Sequence, residues 1–146
     1  DLVAYSPVPV ATSALLQVPL VQNILPKDKR VGIITADKAS LTAAHLAAVG
    51  CPPDVPVVGL PPGSVFLDNA RRGEPVIDRA VQEAEIVALA EQLRDENPDV
   101  GAIVMECTNF PSYAAAAERR TGIPIFNIIT LIEWFQAGLK PRDWNI

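Results

Sequence analysis

The chain has 146 residues, 49% hydrophobic and 20% charged, with a formal net charge of −5 at pH 7, the balance of one globular domain with a proper core. This excludes a nucleic-acid binder, because basic residues never cluster beyond Arg71-Arg72 and Arg119-Arg120, and a membrane span, because no apolar run nears ~18 residues. Two cysteines, Cys51 and Cys107, and a single histidine, His45, form neither a disulfide framework nor a zinc site, so a reduced, cytoplasmic protein without bound metal is expected.

Strand and helix signals alternate along the chain. Val8–Ala11 reads as a short strand broken by prolines. Thr12 or Ser13 then caps a helix running to about Ile24 and kinked at Pro19. After the turn 26–29, Val31–Thr35 reads as a buried strand and Ser40–Val49 as a helix stopped by Gly50. Val55–Leu60 is a third strand, and 61–75 a long, mobile connection carrying Arg71 and Arg72. Ile77–Glu96 is the longest helix, ended by Asn97-Pro98. Val100–Met105 is a continuous apolar strand, followed by a helix near 110–120, a strand over 123–126 and a helix over 128–137. No repeat or low-complexity segment interrupts this order. Strands alternating with helices predict an α/β fold: a three-layer, mostly parallel sheet covered on both faces, with ligands at the carboxyl ends of its strands.

Of the turns at those ends, the one holding Cys107 is the most informative. It lies where strand 100–105 gives way to a helix for which Asn109 is a suitable N-cap and Pro111 a suitable first-turn residue. Free backbone N–H groups and the helix dipole there are expected to lower the thiol pKa toward a thiolate and to offer a dock for a carboxylate. The alternative is a buried structural cysteine behaving as a small hydrophobe.

Glu106-Cys107-Thr108-Asn109-Phe110-Pro111, set between an apolar strand and a helix, resembles the second cysteine motif of the aspartate/glutamate racemase superfamily. The stretch VGIITADKASLT (31–42) resembles the opening strand and polar loop of that family's second lobe. TGIPIFNIITLIEWF (121–135) resembles the segment returning to the first lobe. The resemblance implies a flavodoxin-like lobe of a two-lobe fold: residues 1–25 end the first lobe, 26–122 form the second and 123–146 return. In that family one cysteine from each lobe faces the substrate. Cys107 matches the second, and nothing here matches the first; the chain is expected to begin inside a longer native protein, since its only methionine is Met105.

Racemisation needs an acid and a base on opposite faces of a planar carbanion, which a thiol and a thiolate supply without a cofactor. The resemblance therefore implies a cofactor-independent isomerase acting at a carbon α to a carboxylate or carbonyl, in an amino acid or hydantoin, with Cys107 as acid/base. Thr108, Asn109, Thr35, Asp37 and Ser40 are candidates to hold a small carboxylate-containing substrate; each also suits a turn or helix cap. Two other readings stay open: a one-cysteine relative of the arylmalonate decarboxylase or maleate isomerase kind, and a non-catalytic domain that binds small acids. Cys51 reads as an incidental loop thiol, Glu106 as a supporting residue, His45 as non-catalytic and Arg71-Arg72 as a solvated pair rather than a carboxylate clamp. Trp134, Phe135 and Trp144 are expected in the core or an interface. A homodimer is expected.

Overall fold

Residues 2–73 and 78–143 are described in the computed structural model. Four short apolar runs form its strands, β1 (Arg30–Thr35), β2 (Val57–Gly59), β3 (Val100–Met105) and β4 (Ile125–Phe126), all parallel in the order β2-β1-β3-β4. The central pair β1 and β3 is apolar almost throughout because both sheet faces are covered. Side chains alternate accordingly: Val31, Ile33, Ala102 and Val104 point into one cluster, while Ile34, Ile103 and Met105 point into the other.

Seven helices flank the sheet among the described residues: α1 (Leu2–Tyr5), α2 (Gln17–Ile24), α3 (Ala43–Ala48), α4 (Val65–Arg72), α5 (Arg79–Glu96), α6 (Ala114–Thr121) and α7 (Ile128–Leu139). Val18 and Val21 of α2 and Leu46 of α3 cover the first face. Phe66 and Leu67 of α4, Ile86, Leu89 and Leu93 of α5 and Ala117 of α6 cover the second. The result is the expected three-layer α/β fold, with α5 packed on one sheet face. Gly32 permits that packing: a Cβ there would stand 2.7 Å from Leu93 Cδ2.

The connection from β1 to β2 passes through α3 on the first face, and the connection from β2 to β3 passes through α4 and α5 on the second. The chain leaves β1 toward α3 on the first face and leaves β3 toward α6 on the second, which opens a crevice between their carboxyl ends, the topological switch point where open α/β sheets bind ligands.

Several expectations need correction. No strand forms over Val8–Ala11, where Pro7 and Pro9 remove backbone donors. Ser13 caps a 3-10 turn, Ala14–Leu16, by accepting from Leu15 N–H at 3.2 Å, and α2 starts only at Gln17. Pro19 thus falls in the first turn of α2, where a missing N–H leaves no internal bond unmade. The 61–75 connection contains the regular helix α4: Ser64 accepts from Leu67 N–H, and Gly73, at φ 65°, closes the other end in the left-handed region. The helix expected near 110–120 begins as a 3-10 turn, Pro111–Tyr113, with α6 proper starting at Ala114. Trp134, expected in the core or an interface, is 61% exposed, which removes the core and leaves the interface. The expected helix start at Ile77, the end of the 61–75 connection and Trp144 lie outside the described residues.

Candidate functional site

Cys107 lies two residues beyond the end of β3, at the switch point, and is half-buried. Its carbonyl accepts from Phe110 N–H at 3.1 Å, and Phe110 O from Tyr113 N–H at 2.9 Å, so two successive turns carry the chain into α6. Phe110, fully buried and edge-on to Phe66 with ring centroids 5.0 Å apart, anchors this turn to the core. Asn109 is therefore not the N-cap: Phe110 occupies that position, and Thr108 and Asn109 are exposed.

The thiol pKa is raised, against the expectation of a thiolate. Burial is the largest cause and the Glu106 carboxylate adds to it; hydrogen bonds from the Asn109 and Phe110 amides pull the other way without prevailing. The regular helix starts too far along the chain to help, because a helix dipole acts over its first turn only. Cys107 is thus a thiol at neutral pH.

Glu106 bridges the crevice. Its N–H donates to Ile34 O at 2.8 Å, extending the β1–β3 ladder, and its Oε2 accepts from the buried Thr35 hydroxyl at 2.9 Å. On the β1 side, Asp37 accepts from Ala39 N–H and from Ser40 Oγ, each at 3.0 Å. The Ser40 hydroxyl above all holds the Asp37 carboxyl below its ordinary value; burial opposes it as the next largest cause, and the Ala39 and Ser40 amides and the Arg71 charge assist. Asp37 and Ser40 satisfy one another as turn residues. They border, with Thr35, Glu106 and His45, a cleft of about 470 Å³.

A second cleft, of about 830 Å³, opens beside Thr108 and Asn109 and is bordered by Asn69 of α4, Gln82 of α5, Tyr113 and Ile129. The sequence-predicted residues are thereby divided, with Thr35, Asp37 and Ser40 on one side and Thr108 and Asn109 on the other; Glu106 and Thr108, the neighbours of Cys107, border one cleft each. Sequence reasoning missed Gln82 and Tyr113. A signal was available for Gln82, a polar residue at the head of the buried stripe Ile86, Leu89, Ala90 and Leu93.

The remaining candidates are plainly placed. His45 is exposed, and its Nδ1 accepts from Thr42 N–H at 3.2 Å, closing the first turn of α3. Cys51 is buried against Leu46 and Val31 rather than idle in a loop, and burial raises its thiol pKa. Arg72 lies 3.9 Å from Asp68 within α4. Among the described residues no group of three or more His, Cys, Asp or Glu side chains is arranged to hold a metal, and no helix is long and apolar enough to cross a membrane.

No family model matches the chain. It is 30% identical over 153 residues to a dimethylsulfoniopropionate lyase of Durusdinium sp. clade D, covering 97% of this chain and 50% of that protein. It is 31% identical over 141 residues to dimethylsulfoniopropionate lyase 5 of Emiliania huxleyi (strain CCMP1516), covering 91% of this chain and 28% of that one. Among solved structures it resembles arylmalonate decarboxylase, with a TM-score of 0.53 and 22% identity over 86% of this chain and 51% of the enzyme. Unliganded arylmalonate decarboxylase gives 0.52 and 20% over 89% and 53%. The chain thus has the racemase-type fold seen in about half of that enzyme, and it spans half or less of the curated relatives it matches.

Proposed function

We propose that these residues form the Cys107-bearing lobe of a cofactor-independent lyase of the aspartate/glutamate racemase superfamily, acting on a carboxylate with a sulfonium leaving group, such as dimethylsulfoniopropionate. One observation carries the reading: Cys107 stands at the β1–β3 switch point with carboxylates bordering the cleft on one side and neutral donors on the other. A β-sulfonio propionate is a zwitterion. Its cationic end suits the Asp37 and Glu106 side, and its carboxylate suits the Thr108 and Asn109 side.

The elimination requires little else. A base takes the proton from the carbon α to the carboxylate, the C–H electrons become the new double bond, and the C–S pair leaves with the neutral sulfide. The products are acrylate, dimethyl sulfide and a protonated base. A thiol with a raised pKa is a strong base once ionised, and a sulfonium cation nearby favours that ionisation. Elimination also needs a base on one face only, whereas racemisation needs groups on both. Cys107 alone therefore suffices as the base for elimination, and the similarity to dimethylsulfoniopropionate lyases favours that reaction. The reading carries with it a reducing, cytoplasmic setting in which Cys107 stays free.

The test is dimethyl sulfide release, followed by gas chromatography, from dimethylsulfoniopropionate given to this chain and to the native protein that contains it. Release lost in Cys107→Ser is the expected result. Absence of release, together with solvent deuterium entering the α position of aspartate or glutamate, would replace the lyase with the racemase.

A further inference from the structure

We infer that the cleft beside Thr108 and Asn109 is the binding site for the carboxylate end of the substrate, with the buried amide of Gln82 as its innermost donor; this rests on the lyase reading only for the identity of the molecule that brings the carboxylate. Gln82 is 4% exposed, and a primary amide so deeply buried is costly unless its groups find partners. Half of it has one: Oε1 accepts from the Tyr113 hydroxyl at 2.6 Å. The Gln82 NH₂ has none among the described residues, and the residue borders the cleft.

The orientation of this amide is set from outside. Tyr113 is 5% exposed and its hydroxyl donates to the amide oxygen, so Oε1 is the end turned toward the tyrosine. The NH₂ is then the end left for a ligand. Asn69, Thr108 and Asn109 border the same cleft with side chains likewise unengaged among the described residues. None of the described residues bordering this cleft is acidic, in contrast to the Asp37 and Glu106 side. Arg79 adds positive potential at its edge, with its guanidinium 5.9 Å from the Tyr113 ring centroid and donating to Ser112 O at 3.3 Å, while the Glu83 charge, which also reaches Tyr113, offsets part of it. A cleft whose described border offers donors and no acidic side chain, with a cation at its edge, takes an oxygen anion in preference to a cation or a neutral amide.

Propionate and propionamide, titrated separately into ¹⁵N-labelled chain and followed by NMR, test this directly. Propionate should shift the Gln82 side-chain amide signals and the Thr108 and Asn109 backbone amides along one saturable curve, with propionamide binding at least tenfold more weakly. Gln82→Glu retains an acceptor for Tyr113 but replaces the donor, and should weaken propionate at least about tenfold. Cys107→Ala should bind propionate as the parent does, which separates this site from the chemistry assigned to the thiol. An unmoved Gln82 signal, equal binding of the two ligands, or undiminished binding by Gln82→Glu would each overturn the inference. Loss of the lyase reading with propionate still shifting Gln82 would leave it standing.

Discussion

At Cys107 three effects compete, and burial wins over two backbone amides. Iodoacetamide alkylation should therefore rise with pH through an inflection above the ordinary cysteine value. Glu106→Gln should move that inflection down by removing one of the two raising causes; an inflection unmoved or moved up would show that the Glu106 charge does not reach the thiol. Cys51, Cys107 and Tyr113 all bind their protons more tightly folded than unfolded, since all three values are raised. Their contribution to stability is full below the unfolded cysteine value of about 8.5 and is lost as pH rises through the folded values. Urea midpoints should accordingly hold up to about pH 8 and fall as pH rises through the folded values above it. The place of Cys107 at a strand tip was legible in the apolar run 100–105. The sign of its pKa shift was not, because it depends on how the chain folds over the sulfur and on where the regular helix begins. Thr35, Asp37 and Ser40 were legible as a strand-tip loop, but only the folded chain shows that Asp37 and Ser40 engage one another while Thr35 reaches across to Glu106.

Among the elements, α4 was hidden behind Pro61, Pro62 and Gly63, although its Ser64 cap, its basic last turn and Gly73 are ordinary helix signals. Part of its support is not local. Glu85, twenty residues beyond Val65 and carried on α5, accepts from the Val65 and Phe66 N–H groups with its two carboxylate oxygens. A charged acceptor at a helix N-terminus satisfies orphan donors and complements the dipole. Glu85→Ala should cost about 1–3 kcal/mol in urea unfolding, and amide exchange at Val65 and Phe66 should speed up more than exchange in β3. Equal acceleration everywhere would mean that the cap is not specific to α4. Gly59, at the end of β2, is a second hinge between element and site: a Cβ there would stand 2.7 Å from the backbone nitrogen of Lys38. Gly59→Ala should push the 36–40 loop outward, shifting Asp37 and Ser40 amide signals while leaving those of Thr108 and Asn109 in place. No local pattern in the sequence announces that contact.

On the scale of the whole molecule, the near-continuous apolar runs of β1 and β3 made the covered parallel sheet legible, since runs buried on both faces belong to that architecture. The uncovered surface was less so. α7 keeps only Leu131 buried, while Ile132 is 49%, Trp134 61% and Leu139 58% exposed. In α2, Ile24 is 71% exposed. Ile132 and Leu139, seven residues apart, share one face of α7, and exposed apolar side chains of this kind favour association, so light scattering on this chain should show mass rising with concentration. Trp134→Asp with Ile132→Asp should return it to monomer; a concentration-independent monomer in the parent chain would remove the expectation of a dimer.

The sheet itself ends abruptly on both sides. Its outer strands are β2, of three residues, and β4, of two. Strands so short display too few free backbone groups to recruit another strand, and short edges are among the devices by which natural sheets resist edge-to-edge growth. The oligomers this chain forms should therefore be discrete, held by side chains on helices and dissolved by point substitution, and they should not seed thioflavin-positive fibrils even at concentrations where the α7 face is fully occupied.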